Sequence, residues 1–376
     1  MTPGRVVVVG AGLAGSRCAD TLRSLGFEGG VALVGEELHA PYERPCLSKE
    51  FLGGTREEIQ LRPPGYWADR GIELVLGRRV ESVDLLNKTA GEGLEWDALV
   101  IATGARPRRL PFAVPKGVHV LRSADDAISL RMDLRPGRRL VVIGAGFVGV
   151  EAASTAAALG LDVTLVDVAS VPLERVLGQE VGRILAERYR AAGIDLRLGG
   201  GLKEFAAGRD GRVAAVELAD GAVVPCDVGL VAIGVDPAVE LMEADRRGIP
   251  TDSCGRTAIP GVYACGDVAA QWRPCLGRRA RVEHWTSAAG QGAAVAHAIA
   301  GVDRPHDDVP YFWSDQFGLR LQHVGHAESW DAVEVDGEPD CFSARYLDRE
   351  GRLLSALLVN RPREVAGLRR ELAGSG

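Results

Sequence analysis

Arg5-Val-Val-Val-Val-Gly10-Ala-Gly12-Leu13-Ala14-Gly15 stands at the start of the chain, and Arg139-Leu-Val-Val-Ile-Gly144-Ala-Gly146-Phe147-Val148-Gly149 repeats its pattern further on. Each is an apolar run, then Gly-x-Gly-x-x-Gly, then a helix-forming stretch. The first glycine permits a tight turn, the second lets the backbone approach a pyrophosphate, and the third lets the helix lie close to the strand. The pyrophosphate would rest on the helix N-terminus, where unpaired N–H groups and the dipole favour negative charge. One such motif is weak evidence. Two, each in register with a strand-like run, predict two dinucleotides on one polypeptide, and flavin plus nicotinamide is the usual combination.

Each motif has an acidic partner. Gly30-Val-Ala-Leu-Val-Gly-Glu36 follows the first and Leu161-Asp-Val-Thr-Leu-Val-Asp167 the second. Both acids close a β-branched run about 20 residues beyond the glycines, where a carboxylate can accept ribose hydroxyls. The plainer reading is that each acid caps the following turn.

The chain has 376 residues, which suggests about two or three domains. Its composition, 46% apolar and 25% charged, is that of an ordinary globular protein. No apolar run approaches the roughly 20 residues of a membrane span. Met1-Thr-Pro-Gly leads straight into a strand, so no signal peptide is expected. The cysteines (Cys18, Cys46, Cys226, Cys254, Cys265, Cys275, Cys341) form no C-x-x-C, which suits free thiols and a cytoplasmic location rather than disulfides or zinc. His284, His323 and His326 lack the companions of a metal site, so no metal is expected. No nucleophile elbow suggests a Ser/His/Asp set. A net charge of −7 argues against nucleic acid as a partner, and no membrane partner is expected either.

A first βαβ unit is expected over 5–36 and a second over 138–167. Trp96-Asp-Ala-Leu-Val-Ile-Ala102-Thr103-Gly104-Ala-Arg106-Pro107 is an apolar strand that breaks at Thr-Gly and Pro, a crossover out of the first domain. Val228-Gly-Leu-Val-Ala-Ile-Gly234-Val-Asp-Pro237 ends the second in the same way. Gly266-Asp267 follows, then a helix over 286–300 whose small residues allow close packing. The last 70 or so residues read as short strands over 319–324, 332–335, 343–346 and 353–359, with a terminal helix over 363–372.

Together, the two glycine motifs, Ala102-Thr103-Gly104 and Gly266-Asp267 resemble the two-dinucleotide flavoprotein reductases of the glutathione-reductase fold. Pro41-Tyr-Glu-Arg-Pro-Cys-Leu-Ser-Lys49, Val282-Glu-His-Trp285, Tyr311-Phe-Trp-Ser-Asp-Gln316 and Leu358-Val-Asn-Arg-Pro-Arg363 are similar, more specifically, to the NADH-dependent ferredoxin reductases that serve bacterial oxygenase and cytochrome P450 systems. Apoptosis-inducing factor is a relative. The resemblance implies an α/β protein with two Rossmann-like domains and an α+β C-terminal domain. The FAD domain would be split over 1–107 and 238–305, the NAD domain would occupy 108–237, and the C-terminal domain 306–376 would close the flavin site.

By the same resemblance FAD would lie on Gly10, Gly12, Leu13, Ala14, Gly15, Glu36, Arg44, Lys49, Ala102, Thr103, Gly104, Arg106, Gly266, Asp267, Glu283, His284 and Trp285. Asp267 would hold the ribityl chain and Trp285 would lie beside the isoalloxazine. NADH would take Gly144, Gly146, Phe147, Val148, Gly149, Glu151, Asp167 and Gly234. Lys49 is the catalytic candidate, placed by the flavin N5 and paired with Glu151. A cation there helps hold the charge of reduced flavin, and a carboxylate keeps a buried ammonium paired. NADH would give hydride to flavin, which passes electrons singly to an iron–sulfur ferredoxin, and the P450 or Rieske-type oxygenase is reached only through that ferredoxin.

The chain departs from the family at Cys46, where proline is usual, and in a short 238–260 segment. Cys46 keeps open a single-cysteine NADH oxidase, peroxidase or disulfide reductase, and kinship with apoptosis-inducing factor keeps open a redox sensor. A glutathione-reductase mechanism would need a C-x4-C pair, and only one cysteine is present in this loop. Arg273, Arg278, Arg279 and Arg281, just before Trp285, form a basic cluster suited to docking an acidic ferredoxin. A monomer or weak homodimer is expected.

Overall fold

The computed structural model describes residues 3–374. The first glycine-motif strand, Arg5–Val9, lies at the centre of a five-stranded parallel sheet. Its order is Val262–Ala264, Ala98–Ile101, Arg5–Val9, Gly30–Val34, Ile72–Val75. Val6, Val7 and Val8 have no exposure at all, as a parallel strand covered on both faces requires. The second motif strand, Arg139–Ile143, has the same central place between Asp162–Asp167 and Val228–Val231, with Asp195–Leu198 and Val118–His119 at the edges. In each sheet the strand that leads to or ends in the acid, Gly30–Val34 before Glu36 and Asp162–Asp167, flanks one side of the motif strand, and a crossover strand flanks the other.

The first sheet is completed from far along the chain. Val262–Ala264 joins it only after the second sheet has been built. The outgoing and returning passages run side by side as the antiparallel pair Ala105–Pro107 and Val235–Pro237. The Thr103 hydroxyl donates to the Ala238 carbonyl at 2.7 Å, and the Ala238 N–H donates to the Gly104 carbonyl. The short 238–248 segment contains no helix.

Helix Leu13–Ser24 lies against helix Trp285–Ile299, which starts one residue before the expected 286. The approach is close enough that a Cβ on Gly292 would lie 2.2 Å from the Ala14 carbonyl oxygen. Small residues at this crossing are therefore a steric requirement.

The C-terminal unit is an antiparallel sheet in the order Tyr311–Gln316, Leu319–Gly325, Leu353–Val359, Cys341–Leu347, Ala332–Glu338. The expected strands and the terminal helix, here Val365–Gly374, are present, and the Tyr-Phe-Trp-Ser-Asp-Gln string forms a further strand. Leu368 of the helix packs with Val324 and Leu358 on one face. Leu321, Phe342, Tyr346 and Leu357 share a core with Leu177, Leu185 and Tyr189 of helix Glu174–Ala191. The exposed edge strand carries Glu334, Asp336 and Glu338, charges that discourage edge-to-edge pairing. Among the described residues, no helix is long and apolar enough to cross a membrane.

Candidate active site

The two glycine motifs have nearly the same stereochemistry. Gly10 and Gly144 adopt φ of +116° and +111°, and a Cβ on them would lie 2.1 Å and 2.3 Å from the carbonyl oxygens of Ala102 and Ala232. A Cβ on Gly15 or Gly149 would lie 2.0 Å from the carbonyl oxygen of Gly10 or Gly144. The middle glycines differ. Gly12 and Gly146 are extended N-caps whose absent Cβ would point into open space among the described residues. Neither helix has a side-chain cap or an acid in its first turn, so no side chain caps the N-termini that Leu13-Ala14 and Phe147-Val148 open. These residues fit a pyrophosphate at both places.

Asp167 lies at the end of its strand, where Oδ2 accepts the Ala145 N–H at 2.5 Å and Oδ1 the Ala169 N–H at 2.8 Å. The turn-capping role is thus realised, and each oxygen keeps a further lone pair for a ribose hydroxyl. Glu36 is exposed, 4.0 Å from Arg106, and Arg106 donates to Glu240 at 2.9 Å. Gly234, at φ +97°, accepts the Arg108 N–H through its carbonyl.

Gly266 donates its N–H to the Gln291 side-chain oxygen at 2.9 Å, which fixes the Gly-Asp turn to helix Trp285–Ile299. Asp267 accepts a hydrogen bond from the Arg122 guanidinium at 2.8 Å. Arg44 pairs with Glu37 and donates to the Tyr42 hydroxyl at 2.9 Å and the Arg122 carbonyl at 2.7 Å. Sequence reasoning missed Glu37, Arg122 and Gln291. Arg122 sits in no motif, and only the folding back of 120–123 onto the first unit brings it to Asp267.

Lys49 and Glu151 come together as expected. Lys49 Nζ lies 2.8 Å from Glu151 Oε2, and both side chains are largely buried. The same Oε2 accepts from the Ser48 hydroxyl at 2.5 Å, and Oε1 accepts from the Ser314 hydroxyl at 2.6 Å. The carboxylate therefore faces a lysine and two serines, drawn from the 44–54 loop and strand Tyr311–Gln316, while itself riding on helix Phe147–Ala158. Both serines sit in strings the sequence marks out, yet nothing local to them shows their shared target.

Phe147 meets Phe312 edge-on, with ring centres 4.7 Å apart, and Phe312 lies 4.6 Å from His284 and 5.1 Å from His323. This aromatic contact joins the second glycine motif to the Glu283–Trp285 segment. Burial pushes both imidazoles down to about 3. Glu283 is paired with Arg281, and half-buried Trp285 begins its helix. Among the described residues, no group of three or more His, Cys, Asp or Glu is placed to hold a metal.

Cys46 is only 3% exposed and packs with Leu47, Phe51, Ile59 and Ala127. Its thiol donates to the Glu43 carbonyl at 2.7 Å, and burial pushes its pKa up to about 11. That environment opposes a thiolate. The expected basic rim needs one correction. Arg273 is 1% exposed and points inward, donating to the Ser287 hydroxyl at 3.0 Å and to the Asp308 carbonyl, so it cannot meet a partner. Arg279 is exposed, and half-buried Arg278 pairs with Glu328 at 2.9 Å.

The pyridine nucleotide-disulphide oxidoreductase family profile matches residues 4–292, and the Reductase C-terminal profile matches 311–375. The chain is 38% identical over 373 residues to the ferredoxin reductase subunit of the 5,5'-dehydrodivanillate O-demethylase of Sphingobium sp., covering 95% of this chain and 90% of that protein. It is 37% identical over 380 residues to the ferredoxin–NAD(+) reductase component of the p-cumate 2,3-dioxygenase system of Pseudomonas putida, covering 97% and 92%. Among solved structures, the covalent putidaredoxin reductase–putidaredoxin complex aligns with a TM-score of 0.95 at 34% identity, covering 99% of this chain and 93% of that one. The two glycine motifs, the lysine–glutamate pair and the full-length similarity lead to one conclusion: the chain belongs to the FAD- and NADH-dependent ferredoxin–NAD(+) reductases, within the pyridine nucleotide-disulphide oxidoreductase family.

Proposed function

We propose that this protein passes electrons from NADH through FAD to an iron–sulfur ferredoxin, which feeds a cytochrome P450 or Rieske-type oxygenase. The observation that carries this reading is the buried Lys49–Glu151 pair, set where both dinucleotide units and the C-terminal unit meet, with the loop's cysteine turned away into a hydrophobic cluster. Bound FAD would supply the acceptor for hydride and release the electrons singly. The Gly12 and Gly146 helix ends bind the two pyrophosphates. Glu36 and Asp167 accept ribose hydroxyls, Asp267 holds the ribityl chain with Arg122 behind it, and Lys49 holds its cation at the flavin edge. The FAD domain comprises 1–107 and 238–305, the NAD domain 108–237, and the C-terminal domain 306–376. Ferredoxin docks near Trp285 on a rim that includes Arg278, Arg279 and Arg281. The enzyme works in the cytoplasm as a monomer or weak homodimer.

The test is NADH-driven reduction of a panel of ferredoxins from the same organism. Rapid reduction of one of them is expected. Turnover that needs a disulfide or peroxide instead would make this a thiol enzyme, and very slow flavin reduction by NADH would make it a sensor.

A further inference from the structure

Glu151 ends a hydrogen-bonded chain that begins well away from Lys49. The Tyr189 hydroxyl donates to Gln316 Oε1 at 2.5 Å, the Gln316 amide donates to Ser314 Oγ at 3.2 Å, and Ser314 donates to Glu151 Oε1 at 2.6 Å. Tyr189 and Ser314 have no exposure, Gln316 has 2% and Glu151 6%. Ser314 and Gln316 are two apart on one strand, so they share a face. The direction of the chain is fixed. If the Gln316 amide were reversed, Ser314 would have to give its single proton to Gln316, and Glu151 Oε1 would lose its donor. Only the observed order satisfies a buried carboxylate at both oxygens.

A carboxylate held at both oxygens keeps one orientation, whereas a lysine ammonium on a four-carbon stem does not fix itself. We propose that Ser314, Gln316 and Tyr189 are positioning residues: they clamp Glu151 and thereby hold the Lys49 ammonium in its working place. The C-terminal strand and helix Glu174–Ala191 are then parts of the hydride-accepting site, although neither carries a residue expected to touch a cofactor. The inference rests on the reading of Lys49 given above.

The experiment is a set of double-mutant cycles in the FAD-loaded enzyme, without ferredoxin. Ser314→Ala, Gln316→Met and Tyr189→Phe are each made alone and with Lys49→Ala. The flavin reduction rate, the NADH Kd and the flavin midpoint potential are measured. Ser314→Ala should slow reduction about 10-fold with NADH Kd unchanged, and Tyr189→Phe should slow it about 2- to 3-fold. The potential should move in the same direction as in Lys49→Ala. Ser314→Thr, which restores the hydroxyl, should recover most of the rate. In the Lys49→Ala background the three changes should add nothing, because they act only through that lysine. Losses that multiply with that of Lys49→Ala, or a change in NADH Kd without one in rate, would overturn the proposal. So would a wild-type rate in Ser314→Ala while Lys49→Ala is slow. A wild-type rate in Lys49→Ala itself would bring down the reading of Lys49 instead. Where Ser314→Ala fails to retain FAD, the Tyr189→Phe cycle decides, since that change keeps the ring against Phe317.

Discussion

Cys46 and Lys49 lie on one loop in opposite surroundings. The thiol is enclosed by side chains that disfavour its charge, while the ammonium has a carboxylate at 2.8 Å. Cys46→Ser should therefore leave NADH-to-ferredoxin transfer within about 3-fold of wild type, where a thiol nucleophile would lose nearly everything. Iodoacetamide at neutral pH should leave Cys46 unlabelled in the folded protein, as peptide mapping would show. Lys49→Ala should still bind FAD but bleach it with NADH roughly 100-fold more slowly in stopped flow, the order expected for removing one preorganised electrostatic group. The mutant also leaves Glu151 with two serine donors but no cation, so part of the loss is reorganisation of that carboxylate.

Each fingerprint is a division of labour among three glycines, and the structure separates their duties. Gly12→Ala and Gly146→Ala place a methyl in open space, so the apo protein should keep its melting temperature. Gly12→Ala should weaken FAD, and Gly146→Ala NADH, by about 10-fold or more, because the methyl meets the pyrophosphate. Gly15→Ala and Gly149→Ala put a methyl against a carbonyl and should lower the melting temperature without any ligand. Calorimetry and cofactor titration on the four variants check this. These elements were legible because their chemistry is local: strand, turn, helix and acid lie within one short segment. The strands of the C-terminal sheet were legible for a similar reason, as short local strand-like runs. The Ser314–Glu151 bond was not, since it depends on two units docking. Arg273 was misread for a different cause. Along Ala269–Arg273, Trp272 points outward and Arg273 inward, the reverse of what hydropathy suggests. Only the Ser287 hydroxyl and the Asp308 carbonyl waiting inside make that register tolerable.

Across the whole molecule an acidic chain would present a local basic edge to its partner. Charge reversal of Arg278 and Arg279 should raise the KM for ferredoxin and flatten its salt dependence, with NADH reduction of flavin unchanged. Identical ferredoxin kinetics from low to high salt would move the docking face elsewhere, toward Arg363, Arg369 and Arg370. Stability should also fall in acid. Burial pushes His306 down to about 4 and His323 to about 3, below the ordinary value near 6.5. Between those limits the unfolded chain holds protons that the folded one does not, so stability is lost as pH drops below about 6.5. At pH 5 each histidine would cost about 2 kcal/mol, and His323→Leu should shrink the fall in melting temperature between pH 7.5 and pH 5. The strand Val262–Ala264 has a consequence in time. A chain is made from its N-terminus, so the Ala98–Ile101 strand leaves the ribosome with one edge open and fully apolar until Val262–Ala264 arrives. Helix Leu13–Ser24 waits longer still for Trp285–Ile299. The second sheet, finished at Val231, is complete first although it begins later. During synthesis the unit built on the second glycine motif should thus be completed first, while the unit built on the first keeps an open apolar edge and an uncovered helix until nearly 300 residues have emerged.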